Sequence, residues 1–246
     1  MDKMVYLAMS GAKENMLAQT KTANNLANAS TVGFRADLHQ ARSMQAFGDG
    51  HPTRVFSLTE RPGYRFDSGA LMSTGNDFDV AVEGQGWIAV QGENGLESYT
   101  RRGDLKISPN GLVTNGAGHL VLGNGGPIAL PPFDKVDIGN DGTITIRPQG
   151  AAATETVVVD RIKLVNPNNA DLMKNEFGLF QRKDNGVEPP DAAVTLVTKT
   201  LESSNVNAVE EMINMISLSR QFEMQVKMMK TAEETGQAAE QLARIS

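Results

Sequence analysis

Cysteine is absent from the chain, which excludes disulfides, thiolate metal sites and cysteine nucleophiles together. Histidine is scarce: His39, His51 and His119 are the whole supply, too few and too scattered for a histidine-based metal centre or catalytic triad. Positive charge is in deficit, with 23 Lys and Arg against 29 Asp and Glu, a formal −6. A chain of that balance lacks the basic face that binding a row of phosphates requires, so nucleic acid is not expected as a partner. Long apolar runs are missing as well. The opening stretch Met1–Met9 reaches Lys13-Glu14 within a few residues, too short for a signal peptide and far too short to span a bilayer. We therefore expect no membrane insertion, and export, where it occurs, by a route without a cleaved leader. What remains is 246 residues, enough to bury a sizeable core.

Glycine and proline are missing from the ends and crowded into the middle. All 10 prolines fall between Pro52 and Pro190, and only Gly11 and Gly236 of the 24 glycines lie outside residues 33–186. Methionine does the reverse: nine of 12 lie in residues 1–16 and 212–229. Glycine and proline oppose helices by about 1 and 3 kcal/mol per residue, whereas methionine favours them. The distribution predicts an α+β chain in which an all-β central body is flanked by long amphipathic helices. Its segments are a helical arm over 1–30, an extended linker over 31–75, a β-rich body over 76–183, a return linker over 184–200 and a second arm over 201–246.

The first arm carries a helical row at Val5, Met9, Ala12, Met16, Gln19, Ala23 and Leu26. The second repeats it at Ala208, Met212, Met215, Ser219, Phe222, Val226 and Met229, then shifts phase to Met228, Ala232, Thr235, Ala239 and Leu242. Asn207, with Glu210 three residues on, reads as a capping box opening the second helix. The matched periods suit pairing of the arms with each other in a coiled-coil-like domain. Between them, short strands are expected at Phe78–Val82, Trp87–Val90, Leu105–Ser108, Leu112–Thr114, His119–Leu122, Thr143–Ile146 and Thr156–Val165, joined by turns such as Pro109-Asn110-Gly111 and Asn140-Asp141-Gly142.

Motifs of catalysis and ligand binding fail individually. Gly84-Gln85-Gly86-Trp87-Ile88-Ala89 matches a dinucleotide fingerprint in letters, but an alternating strand pattern follows it where a helix N-terminus is needed. The Gly123–Gly126 loop has no Lys-Ser/Thr after it. Asp137–Gly142 hints at a calcium loop, yet Pro148 stands where the bidentate glutamate belongs. His39 and His51 read as surface residues, and Tyr99-Thr100-Arg101-Arg102 as a solvated strand end. Catalytic residues, cofactor and metal ligands are accordingly expected to be none.

The arms hold the information. About ten apolar side chains per arm, each gaining ~1.5–3 kcal/mol on burial, need a covering surface. The shorter first helix cannot cover the longer second one, so neighbouring copies would complete the burial. Two other classes remain open at this point: a secreted β-rich enzyme, and a secreted coiled-coil binding module.

Three separated stretches narrow the choice. Thr22-Ala23-Asn24-Asn25-Leu26-Ala27-Asn28-Ala29-Ser30-Thr31-Val32-Gly33-Phe34-Arg35 resembles the N-terminal motif of bacterial flagellar rod and hook proteins. Leu201–Asn207 together with Glu211–Ile216, Arg220–Glu223 and Lys227 is similar to their C-terminal motif, and Thr74–Trp87, Tyr99–Gly103 and Leu120–Gly123 add matches in the body. One departure is Ala232-Glu233-Glu234, where the family usually has an Asp-Glu pair. Within the family, the short body and the opening Met1–Ala12 resemble proximal rod members, with distal rod or hook-type subunits as the alternative. The resemblance implies a structural subunit of the periplasmic rod of the flagellar basal body, exported without a cleaved signal peptide. Its partners would be the export apparatus, other rod subunits and copies of itself. It also implies roles for residues. Asn24, Asn25, Leu26 and Asn28 would end the first helix, Gly33 would permit the turn and Phe34 would anchor the outgoing chain. Asn205, Val206 and Asn207 would begin the second helix. An assembly interface would comprise these together with Val5, Met9, Met16, Met212, Ile213, Met215, Ile216, Phe222, Val226 and Met229.

Overall fold

A computed structural model of the chain describes residues 3–45, 55–59, 63–152 and 154–245. The chain is α+β, mostly strands with one helix near each end, and it divides into two compact units. His51 and the side chain of Leu242 lie outside the described residues.

The first unit gathers residues 1–29, 35–65 and 206–246. It contains α1 (Lys3–Ala27), the short strands β1 (Asp37–Leu38), β2 (Ala41–Gln45), β3 (Val55–Thr59) and β4 (Gly63–Tyr64), and α2 (Ala208–Ile245). β1 pairs with β4 and β2 with β3, both antiparallel. At 1.5 Å per residue, the helices of 25 and 38 residues are about 37 and 57 Å long. They lie antiparallel: Asn25 near the end of α1 donates to the Glu211 carboxylate at the start of α2, and Gly11 sits against Gln225. Asn207 opens α2 as expected, its Oδ1 accepting the N–H groups of Val209 (3.1 Å) and Glu210 (3.3 Å).

The second unit gathers residues 30–34 and 66–205. Its strands are β5 (Leu71–Ser73), β6 (Val80–Glu83), β7 (Trp87–Gln91), β8 (Glu97–Thr100), β9 (Leu105–Ile107), β10 (Val113–Asn115), β11 (Leu120–Val121), β12 (Phe133–Ile138), β13 (Thr143–Pro148), β14 (Val157–Arg161), β15 (Leu164–Val165), β16 (Leu172–Lys174), β17 (Phe180–Arg182), β18 (Thr195–Thr198) and β19 (Thr200–Glu202), with one 3-10 turn at Asn169–Asp171. The main sheet runs β16-β17-β8-β7-β11-β10-β9, and β15 also pairs with β7. β12, β13 and β14 form a separate sheet, and two pairs complete the unit, β18 with β6 and β19 with β5. Ile88, Val90, Val113, Val121, Ile128, Ile144, Ile146 and Leu196 are among the side chains packed into its core. On β13 the pattern is the simple one of period two, Ile144 and Ile146 buried between half-exposed threonines. β7 departs from it: Trp87, Ile88, Ala89 and Val90 are all buried, because this strand has protein on both faces.

The segment 31–75, expected as an extended linker, instead carries β1 to β5 and is shared between the units. β1, β2 and β5 lack apolar alternation, and residues 42–45 of β2 are all exposed; β3 does alternate at Phe56-Ser57-Leu58-Thr59, a signal the sequence reading passed over. The return segment 184–200 likewise contains β18, whose partner β6 lies far back in sequence.

Candidate assembly interface

On α1 the buried side chains are Ala8 (1% exposed), Ala12, Glu14, Ala18 (2%), Thr22 and Asn25. Ala8, Gly11, Asn15, Ala18, Thr22 and Asn25 form a helical row of small and polar residues with steps of three and four. The larger apolar row is displaced from it by one position and is open at its methionines: Met9 is 54% and Met16 63% exposed, while Ala12 between them is buried. Val5 and Leu26 are half-buried, and Leu17 adds to the open side. Small residues let two helices approach closely, and at Gly11 an added Cβ would stand 2.9 Å from the Gln225 amide. The pairing inside the chain thus uses the small row and leaves the methionines uncovered.

The same division holds on α2. Glu211, Met215, Leu218, Phe222, Gln225 and Met229 are half-buried and Ala232 is buried, at the spacing of one helix face. Met212, Ile213, Ile216, Met224, Val226 and Met228 are exposed. Of the sequence-derived positions, Met215, Phe222 and Met229 therefore lie on the inner row and Met212, Ile213, Ile216 and Val226 outside it. Val5, Met9, Val226 and Met229 come together around a groove of about 1040 Å³ that continues along α2 past Ala232 and Ala239. From Glu233 to Gln241 every residue of α2 is exposed.

The asparagines separate in role. Asn28 closes α1, its N–H and its Nδ2 both donating to the Asn24 carbonyl at 3.1 and 2.9 Å. Asn24 itself is exposed. Asn25 does not end the helix. It is 3% exposed and bridges three elements, exchanging hydrogen bonds with the Asp37 backbone on β1 (2.9 Å each way) and donating to Glu211 on α2 (3.0 Å). Near it, His39 is half-buried, not a free surface residue, and burial together with Lys21 holds its imidazole below the ordinary pKa.

In the second unit, the departing and returning segments are stitched to each other. Gly33 adopts φ +67°, and its N–H donates to the Glu202 carbonyl at 2.8 Å. A Cβ there would lie 2.4 Å from the Arg101 carbonyl carbon, so only glycine fits. The Phe34 ring stacks under Lys174 Nζ (4.1 Å), while its carbonyl accepts the Asn205 N–H (3.3 Å). Asn205 Nδ2 donates to the Asp67 carbonyl (2.9 Å). Asn205 thus holds the chain to this unit, Val206 is the first residue of the other, and Asn207 caps α2.

Arg101 corrects the sequence reading of Tyr99–Arg102 as a solvated strand end. It is 3% exposed and pairs with Glu202, 0% exposed, at 3.1 Å. The guanidinium also donates to the carbonyls of Val82 (3.3 Å) and Gly84 (2.6 Å) and lies 5.5 Å from the Trp87 ring centre. Charge suggested a surface residue; the signal overlooked was a lone glutamate in the β-branched and apolar run ending at Leu201-Glu202. Gly84-Gln85-Gly86 is the turn between β6 and β7, and a strand follows it. Asp137 and Ile138 end β12, and Gly139–Gly142 is the hairpin turn to β13, the Gly139 N–H donating to the Thr143 carbonyl and the Gly142 N–H to the Gly139 carbonyl. Among the described residues no group of three or more His, Asp or Glu side chains is placed to hold a metal ion, and no described helix is long and apolar enough to cross a membrane.

Comparison with known proteins matches three family models along the chain, in order. Residues 6–35 match the flagella basal body rod protein model, 81–146 the flagellar hook protein FlgE/F/G D1 domain, and 197–242 the flagellar basal body rod FlgEFG protein C-terminal model. The flagellar basal-body rod proteins FlgF of Escherichia coli and of Salmonella typhimurium are each 37% identical over 252 residues, covering 100% of both chains. The rod protein FlgG of Buchnera aphidicola from Schizaphis graminum is 27% identical over 97% of this chain and 98% of its own. Both stretches that tie the helices to the strands, and the helices themselves, fall inside these matches, so this chain belongs to the flagellar basal-body rod protein family, whose members are structural subunits and not enzymes.

Proposed function

We propose that this subunit enters the proximal rod and polymerises through its two helices, whose outer rows pack against those of other rod subunits and of further copies. In this reading the helices pair in a coiled-coil-like domain, the chain carries an all-β body between them in sequence, and torque crosses the periplasm through packing spread over many contacts. The observation that carries it is the division of each helix into two rows. The small row of α1 is satisfied within the chain, and Met9, Met16, Met212, Ile213 and Ile216 are left facing outward. These side chains are 51–63% exposed, so each has roughly half of the ~1.5–3 kcal/mol of full burial still to gain, and a run of them on two helices favours association. Charge has a minor part: residues 201–246 hold seven glutamates against four basic residues, and exposed pairs contribute below ~1 kcal/mol each. The 37% end-to-end identity with FlgF of Escherichia coli and Salmonella typhimurium, against 27% with the FlgG of Buchnera aphidicola, supports the proximal over the distal position. Family membership supports delivery by the flagellar export apparatus.

Deletion of residues 1–30 tests the reading. A chain lacking them should keep a folded strand unit by near-ultraviolet circular dichroism and yet fail to restore motility or enter isolated basal bodies. Normal incorporation of the shortened chain would refute polymerisation through α1.

A further inference from the structure

β19 meets β5 through Thr200↔Ser73, Leu201↔Met72 and Glu202↔Leu71. All three residues of β5 are exposed, so apolar patterning constrains this register weakly. A slip by one residue would turn every side chain of β19 to the opposite face. Something else must hold it.

The buried pair supplies the constraint. Glu202 Oε2 receives Arg101 Nη1, Oε1 receives the Gly69 N–H (2.8 Å), and the Glu202 carbonyl receives the Gly33 N–H. Slipped by one, β19 would bring Leu201 or Ser203 into this slot and strip the buried guanidinium of its carboxylate, a strongly unfavourable exchange. Upstream, Lys199 sits at φ +56°, where the strand leaves β6 and joins β5. Its carbonyl accepts the Thr74 and Gly75 N–H groups (2.9 and 3.3 Å), and its Nζ lies 2.9 Å from Asp77. The crossover residue is therefore fixed from both sides.

We infer that Arg101 and Glu202 are a register lock: positioning residues that fix how much chain is laid on the sheet before α2 begins, so that every copy reaches α2 through the same connecting segment, 203–207. A slipped copy would have a connection longer or shorter by one residue and would assemble less well with its neighbours. This consequence for assembly rests on the reading proposed above; the register itself does not.

The absence of cysteine makes a direct test clean. In the full chain, Met72→Cys with Leu201→Cys reports the native register, while Met72→Cys with Thr200→Cys and Ser73→Cys with Leu201→Cys report a slip in either direction and leave Glu202 in place. With Arg101 and Glu202 intact, only the 72–201 pair should cross-link rapidly under mild oxidation. In an Arg101→Met, Glu202→Leu background, which keeps apolar volume in the slot, the 72–200 pair should cross-link about tenfold faster than with the lock present. A 72–201 rate unchanged in that background, with no gain at 72–200, would overturn the lock. Should the double replacement not fold, Glu202→Gln keeps the shape and the acceptor for Gly69 and takes its place, read by the same pairs. Motility of cells carrying the lock variants without added cysteines is a separate arm. A slipped register with full motility would overturn the consequence for assembly, while the deletion of residues 1–30 reports on polymerisation by itself.

Discussion

Tyr99 shows how one side chain contributes to the alkaline pH response of the strand unit. Its hydroxyl donates to Glu97 Oε1 and accepts the Glu188 N–H, each at 3.1 Å, and Lys163 closes the other side of Glu97 at 2.7 Å. Burial, and then the charge of Glu97, raise the phenol well above its ordinary value of 10.0. In the unfolded chain the phenol ionises first, so above that value the unfolded state holds fewer protons and gains relative stability. The contribution of Tyr99 is thus complete below about pH 10 and is lost as pH climbs toward the folded-state value. Thermal unfolding of Tyr99→Phe should lose part of the alkaline decline that the parent shows. At neutral pH the replacement should cost about 1 kcal/mol, because Glu97 also accepts the Glu188 N–H at 3.3 Å. Gly33 offers a second residue-scale test against Gly75. Both have positive φ, but Gly75 faces open space and Gly33 faces backbone. Alanine at 75 should cost about 1–2 kcal/mol and at 33 about 3 kcal/mol or more, read from the melting of the strand unit. Gly33 was legible as a turn glycine in the sequence. Asn25 was not legible as a bridge, because an asparagine near a helix end has the same letters whether it caps or connects.

At the scale of elements, the helices were legible in extent and misleading in face. Ranking residues by apolarity selects Val5, Met9 and Met16, and the structure pairs the helices through Ala8, Gly11, Ala18 and Asn25 one position away. Close approach of two backbones needs small side chains, and hydrophobic scales give such a row little weight. Exposed apolar side chains are present on both helices, their cover by other copies is the proposal made above, and the contact inside the chain is a different one. The two rows should therefore respond differently to substitution. Ala18→Leu should overpack the helix pair and lower the stability of the helical unit by about 1–3 kcal/mol. Met16→Gln should leave monomer stability within about 0.5 kcal/mol, since the side chain is 63% exposed, while lowering incorporation into basal bodies. Equal effects of both replacements on the monomer would contradict the division. Among strands, β13 was readable because one face is solvated. β16 and β17 were not, since they are short and lie in a segment rich in turn residues.

For the whole molecule, the unit boundaries decide where an isolated chain is vulnerable. The strand unit holds residues 66–205 with the short return of 30–34, and its core is closed. In the other unit, α2 is exposed at every residue from Glu233 to Gln241, the stretch that follows the buried Ala232. Helices without a covered face are marginal in water, so local opening there has a small free energy. Limited proteolysis of the monomer should therefore trim α2 back toward Ala232 before cutting within 66–205, and mass spectrometry of the early products reads the order directly. The same bonds should resist cleavage once the protein stands in a rod, where neighbouring helices cover them. Protection of residues 233–241 in a monodisperse monomer would mean that the chain already supplies that cover, and the outward rows would then have no association left to drive.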